Sequence, residues 1–249
     1  MPGSTTSSAT WLTLRRRTTL YPPEPAGRPD GCAVCRGPAG AGYARCYQCA
    51  QHDLLGPGLL ADAVAPISYA VKGTAFAAGL WRYKSWRSPD PVARASLLAL
   101  LLTFLHDHGR CVWRHAGMPV PGRLAVVPTG CGRPGPHPLL ALAAPYLRLP
   151  VTGLIIKPGE QGRDPNPDRF VPERTGPGAS VLLLDDSWVS GASAQSAAAA
   201  LKRAGARHVA VVVLGRHVDP ADPRSAPLAA RLAPRAYHPD QCAVHLARL

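Results

Sequence analysis

Short continuous apolar runs alternate with amphipathic stretches along most of this chain. The apolar runs at residues 65–71, 124–127, 151–157, 180–184 and 208–214 predict strands that are buried on both faces. Helical periodicity predicts helices at residues 74–83, 139–147 and 193–204, a helix from Pro91 to about His106, and a short amphipathic helix at residues 11–20. This alternation predicts an α/β fold in which helices cover a parallel sheet.

Two polar loops interrupt the pattern. A Gly- and Pro-rich loop covers residues 129–138, and residues 158–178 form a longer loop with almost no apolar periodicity. A loop of that length inside a compact domain is usually functional or mobile. We therefore divide the chain into a tail with a short helix (1–29), a cysteine-rich module (30–60), an α/β domain (61–220) and a C-terminal tail (221–249).

The composition narrows the class of partner. The 249 residues allow one α/β core and a small additional module. A formal net charge of +13 suits nucleotides, pyrophosphate or nucleic acid, although a coding bias toward arginine would give the same balance. No apolar run approaches the roughly 20 residues that a membrane helix needs, so we expect no membrane insertion.

Four of the seven cysteines form two Cys-x2-Cys pairs separated by ten residues. Two such pairs can hold one tetrahedral metal, and four thiolates are typical of a structural zinc site. The predicted zinc ligands are Cys32, Cys35, Cys46 and Cys49. Two redox-active pairs or four unligated thiols are the alternatives. The three other cysteines are scattered, which is typical of a protein in a reducing cytoplasm. A looser group near the C-terminus is left unassigned: His238, Cys242 and His245.

The segment richest in candidate chemistry is residues 181–193. An apolar strand ends in Asp185 and Asp186, a short loop of small residues follows, and a helix then begins. Ligands of parallel sheets bind at the carboxyl ends of the strands, and a helix start offers N–H groups to a phosphate. Gly191 permits close approach, while Ser190 and Ser193 add hydroxyl donors. Carboxylates beside phosphate donors fit a ribose 5-phosphate. In the structural alternative, the aspartates only cap a helix or face solvent.

This segment resembles the signature with which type I phosphoribosyltransferases bind phosphoribosyl pyrophosphate (PRPP). The resemblance implies that Asp185 and Asp186, as the catalytic pair, contact the ribose 2′ and 3′ hydroxyls. It implies that the following residues complete the PRPP site around the 5′-phosphate: Ser187, Val189, Ser190, Gly191, Ala192 and Ser193. Many members carry threonine or aspartate where this chain has Val189. The general base that an aspartate supplies there is therefore missing or lies elsewhere.

Together with the four cysteines, this motif makes the chain similar to the ComF/GntX family of competence-type phosphoribosyltransferases. The similarity covers roughly residues 12–219 and includes Tyr21-Pro22-Pro23 before the cysteines. The family's Arg-Gly-Phe-Asn-Gln run after the strand at residues 124–127 is replaced here by Arg-Pro-Gly-Pro-His-Pro at residues 133–138. That departure indicates a divergent subfamily and leaves the acceptor contacts open.

The resemblance implies a type I phosphoribosyltransferase-like parallel sheet flanked by helices, with a small N-terminal zinc knuckle. It also implies a cytoplasmic enzyme that transfers a phosphoribosyl group to an unidentified acceptor, with Mg²⁺ bound mostly through PRPP oxygens and water. Pyrophosphate contacts are expected from Thr129, Gly130, Arg133, Lys84 and Arg163. Arg163 and Arg169 are expected to close over the pyrophosphate. In the alternative function, a non-catalytic accessory protein binds single-stranded DNA or competence proteins. The sequence does not assign an oligomeric state.

Overall fold

A computed structural model describes residues 20–25, 27–85, 87–129, 136–160, 162, 164–173 and 175–244. The strands are β1 (Ala63–Val71), β2 (Arg123–Val126), β3 (Leu154–Ile156), β4 (Phe170–Pro172), β5 (Ala179–Trp188) and β6 (Ala206–Val218). The α-helices are α1 (Tyr47–Gln51), α2 (Ala75–Arg82), α3 (Pro91–His115), α4 (Pro138–Leu147), α5 (Ala192–Arg203) and α6 (Ala226–Leu232). One turn of 3-10 helix, His52–Leu55, follows α1. Within these ranges, no helix combines the length and the hydropathy that a membrane crossing needs.

Four parallel strands form the main sheet in the order β1-β6-β5-β2. One face packs against α2, α3 and α4, and the other packs against α5 and the cysteine-rich module. The two central strands are buried along most of their length because both faces are covered. The predicted fold class is confirmed: a parallel sheet flanked by helices, with a buried four-cysteine cluster near the N-terminus.

Helix α3 begins where the sequence predicts it but ends nine residues later than about His106, the expected end. The Asp90 side chain accepts hydrogen bonds from the N–H groups of Val92 and Ala93, and Pro91 suits the first helical turn. Polar residues near 106 conceal the continuation, because the buried stripe resumes at His108 with helical spacing. The helix therefore brings residues beyond position 106 into the core.

Strand β5 is longer than the predicted run at residues 180–184. Its pairing with β6 continues through Asp185 and ends at Trp188. Backbone pairing does not depend on apolar side chains, so the apolar run marks only the covered part of the strand. The aspartates therefore lie within the strand, which continues beyond them to Trp188.

The remaining differences are short elements. The predicted strand at residues 151–157 is reduced to β3, and the long polar loop contains β4, which pairs antiparallel to β3. The predicted C-terminal tail contains α6. Of the predicted helix at residues 11–20, only Leu20 lies within the described residues. The domain boundaries stay a prediction.

Candidate functional site

The candidate site lies at the carboxyl end of β5, where the sheet opens. Val126 at the end of β2 pairs with Leu184, and the N–H of Val127 donates to the Leu184 carbonyl at 2.9 Å. From Asp185 onward, β5 pairs with β6 alone. The end of β5 and the loop after β2 thus border the same edge, which is where open parallel sheets bind their ligands.

Asp186 is buried, and its carboxylate is bound by the two residues that directly follow α2. Its Oδ2 accepts a hydrogen bond of 2.6 Å from the Tyr83 hydroxyl and one of 3.0 Å from Lys84 Nζ. The side chain of Asp186 is only 8% exposed, so this ion pair is shielded from solvent. The Lys84 ammonium also lies 5.3 Å from the centre of the Trp81 ring. Lys84, predicted to contact pyrophosphate, is thus engaged with the carboxylate in this structure.

Asp185 is partly buried, and its carboxyl group has a raised pKa. Neighbouring strand residues point to opposite faces, so Asp185 does not share the Tyr83 side of the sheet with Asp186. Burial, together with the negative charge of Asp186, raises the pKa of Asp185 from 3.8 to about 8. The structure therefore separates two adjacent acids by environment: one is ion-paired, and the other resists ionisation.

Helix α5 begins in a conformation that requires glycine. Gly191 has φ +83°, and a Cβ there would lie 2.0 Å from the Trp188 ring. No side chain caps the helix at Gly191, and the Ser190 hydroxyl accepts a 3.3 Å hydrogen bond from the Ala192 N–H. Val189 is 61% exposed. A 12-residue helix thus points its positive end at this edge of the sheet.

The long loop before β5 packs onto α5. Arg169 is buried, donates to the Ser193 hydroxyl at 3.2 Å and also donates to the Asp164 carbonyl. The Asn166 N–H donates to the Ser196 hydroxyl at 2.9 Å. Arg169 and Ser193, both predicted to face the ligand, contact each other here.

The expected pyrophosphate loop is described only at its start. Thr129 follows β2 and is partly buried. Gly130 and Arg133 lie outside the described residues, as does Arg163 of the long loop. Their predicted contacts with pyrophosphate stay predictions, as do those of Ser187 and Ala192 with PRPP.

The four cysteines of the N-terminal module meet at one point. Their Sγ atoms all lie within 4.8 Å of one another, and all four side chains are buried. The 3.8 Å distance between the sulfurs of Cys35 and Cys46 equals the edge of a tetrahedron with zinc–sulfur bonds of about 2.3 Å, an edge of about 3.8 Å. The Gly37 N–H points at the Cys35 sulfur at 3.4 Å. The cluster is compatible with a structural zinc site.

Arg216 at the end of β6 connects this cluster to the candidate site. Burial lowers its pKa, but the interactions with Cys35, Cys46 and Cys49 together outweigh burial, and the net shift is upward. Its Nη1 donates to the Trp188 carbonyl at 3.2 Å. His52 meets the Trp188 ring edge-on, with 5.9 Å between ring centres. His52 and Arg216 therefore connect the cysteine module to the loop, and no local sequence pattern marks either residue.

A cavity of about 700 Å³ lies between the cysteine module, the loop and the start of α6. Val189 and Ser190 line it on the side of the loop. Tyr47, Arg216 and His217 are among its other lining residues. A space of this size, with both aromatic and cationic walls, is large enough for a small organic molecule.

Comparisons with known proteins give similarity at the level of structure. No protein-family model matches the chain, and no curated protein matches it. An orotate phosphoribosyltransferase from Aeropyrum pernix aligns at 20% identity and a TM-score of 0.35, over 64% of this chain and 74% of that one. An adenine phosphoribosyltransferase from Rhodothermus marinus aligns at 16% identity and a TM-score of 0.29, over 57% and 87% respectively. Similarity this low carries no argument about activity.

Proposed function

We propose that the chain binds Mg·PRPP at the carboxyl end of β5 and transfers its phosphoribosyl group to a nucleophilic acceptor. One observation carries the proposal. At the point where β2 stops pairing, β5 delivers two acids, and a helix that starts at Gly191 follows within a few residues. This arrangement puts acceptors for sugar hydroxyls beside donors for a phosphate.

The two acids take different parts in the proposed complex. Asp186 already accepts hydrogen bonds from Tyr83 and Lys84, so it holds the end of α2 against the sheet. Asp185 is more exposed than Asp186 and is not part of that ion pair, so it is the better acceptor for a ribose hydroxyl. The start of α5, with the Ser190 and Ser193 hydroxyls, receives the 5′-phosphate.

The proposed transfer breaks the bond between ribose C1 and the pyrophosphate oxygen and forms one between C1 and the acceptor. Magnesium, when bound, neutralises the charge of the leaving pyrophosphate. The chain's own contribution is positioning and electrostatic stabilisation by the helix start and nearby cations. Val189 offers no proton acceptor, so the acceptor of the group must lose its proton to another residue or to solvent.

The cavity beside Val189 and Ser190 is the proposed acceptor site. It adjoins the loop from the side of the cysteine module, and its walls include Tyr47 and His217. The lining carries charges of both signs, including Asp219 and Asp222 beside Arg216. Its aromatic wall suits a flat ring, which favours a planar acceptor.

Calorimetric titration of Mg·PRPP into three proteins tests the proposal. At about pH 9, where Asp185 is ionised, the wild type should bind, and Asp185→Asn should bind about 10- to 100-fold more weakly, because a hydrogen bond to a charged group contributes about 1.5–3 kcal/mol. Asp53→Asn is the matched control, since Asp53 is an exposed carboxylate whose side chain pairs with Arg45. Equal affinity in all three proteins would remove Asp185 from the site. Absence of binding to the wild type would reject the function.

A second function, binding of single-stranded DNA, is favoured by the exposed tyrosines of the cysteine module, of which Tyr47 also lines the cavity. Tyr43 and Tyr47 of the cysteine module are 69% and 70% exposed, on a chain with a net charge of +13. Exposed aromatic rings on a cationic protein can stack with unpaired bases. A mobility-shift assay with a labelled single-stranded oligonucleotide should show affinity that falls steeply with salt and that drops when Tyr43, which does not line the cavity, is replaced by alanine. No shift at low salt would reject this function and leave the PRPP proposal untouched.

A further inference from the structure

A second group of metal-ligating side chains lies far from the four-cysteine cluster in sequence. His108 and Cys111 are three residues apart on α3 and therefore share one face of the helix. Cys242 approaches them from the segment after α6. The ligand atoms of the three residues lie within 4.8 Å of one another. His108 and Cys242 are buried, whereas Cys111 is partly exposed.

The His108 ring is oriented as a metal-binding histidine would be. Its Nε2 lies 2.5 Å from the Pro239 carbonyl oxygen. A carbonyl only accepts, so Nε2 carries the proton, and the lone pair of the neutral ring is on Nδ1. Histidines that ligate metals commonly donate their other ring N–H to a backbone carbonyl, which fixes both the tautomer and the orientation of the ring.

We propose that His108, Cys111 and Cys242 form a second metal site, which takes zinc or a similar borderline-soft divalent ion. Two thiolates and one imidazole are ligands that zinc accepts, and the exposed side of Cys111 leaves room for water as the fourth ligand. On binding, the two thiols release two protons to solvent, and the metal keeps its oxidation state. This site does not depend on PRPP binding.

A metal at this site would connect the C-terminal segment to the rest of the molecule. Tyr237, Ala243 and Val244 are buried, and the Ala243 carbonyl accepts a 2.7 Å hydrogen bond from Arg36 Nε. Arg36 lies within the four-cysteine module. A metal at Cys242 therefore fixes a segment that also contacts the first cluster, joining α3 and the cysteine module through one strap.

Elemental analysis of full-length protein, purified under reducing conditions and loaded with Zn²⁺, tests the proposal. The wild type should contain about two metal ions per chain. Cys111→Ser and Cys242→Ser should each contain about one, and Cys49→Ser, which affects only the first cluster, should also retain about one. A wild-type content of one ion, lost entirely in Cys49→Ser, would overturn the proposal.

Alkylation of the wild type gives an answer that does not depend on the folding of variants. Zinc should slow the reaction of Cys111 with iodoacetamide at least about 10-fold relative to chelator-treated protein, because a metal-bound thiolate is a poorer nucleophile. Mass spectrometry locates the modified thiol. An unchanged rate would contradict the site. A Cys111–Cys242 disulfide that persists under the reducing conditions would also contradict it, because its sulfurs cannot then ligate as thiolates.

Discussion

Replacing Asp185 with asparagine should stabilise the protein, increasingly so as pH rises. Asparagine keeps the shape of the side chain but cannot ionise. In the wild type, burial beside Asp186 raises the pKa of Asp185 from 3.8 to about 8. Between these two values the folded protein holds a proton that the unfolded chain has released. The wild type therefore loses stability across this window as pH rises, and the variant does not.

The structure sets the size of the effect. Each pKa unit corresponds to about 1.4 kcal/mol, so a displacement of about four units is worth roughly 5 kcal/mol above the folded pKa. At about pH 5, only about 2 kcal/mol of that cost is present. Water entry and side-chain relaxation reduce both figures. We expect the advantage of Asp185→Asn to grow by about 2–4 kcal/mol between about pH 5 and about pH 9.

Urea unfolding of the wild type and the variant at both pH values measures this growth, because all other titrating groups are common to the two proteins. Asp53→Asn is the control. The Arg45 side chain lowers the pKa of Asp53, so this exposed carboxyl is ionised throughout the range and its replacement should cost the same at both pH values. A difference between wild type and Asp185→Asn that is identical at the two pH values would refute the reasoning.

Three further changes test the neighbouring contacts. Lys84→Met leaves the buried Asp186 carboxylate without its ammonium partner, so the free energy of unfolding from urea titration should fall by about 3 kcal/mol. Lys84→Arg should recover much of that loss. No loss in either variant would show that the ion pair is not stabilising. In Gly191→Ala the new Cβ would lie 2.0 Å from the Trp188 ring, whereas in Gly178→Ala, also at a positive φ, it would have nothing within 4 Å. In melting experiments the first variant should therefore lose about 2 kcal/mol more stability than the second. Equal losses would mean that the ring gives way. Cys49→Ser removes one of four buried thiolates and should lower both the zinc content of the first cluster and the melting temperature, and full retention of zinc would exclude the four-thiolate site.

The fold can be predicted from the sequence because buried parallel strands and the helices that cover them have distinct patterns of apolar residues. The apolar runs located β1, β2, β5 and β6, and the same runs located the acids at a strand end. Local patterns could not locate the end of β5, since pairing with β6 continues past the covered region. They also missed β4, a three-residue strand that pairs only with β3.

The sequence groups the residues of the candidate site by local features, but it does not give their contacts. Adjacent aspartates, small residues and a glycine before a helix are local features. Asp186 is separated from Tyr83 and Lys84 by more than 100 residues, and the pattern of apolar and polar residues does not predict contacts over that distance. The contact between Arg169 and Ser193 likewise depends on how the long loop folds back onto α5.

Trp188 connects the cysteine module to the candidate site through direct contacts. Its carbonyl accepts from Arg216, and the charge of the Arg216 guanidinium is balanced by Cys35. Its ring meets His52 from the module and excludes any side chain at Gly191. The position of the loop that starts α5 is thus set from two sides by groups attached to the cysteine cluster. A metal that fixes the cluster would fix those groups as well, so a structural ion can govern the geometry of the loop proposed to bind phosphate without touching the ligand.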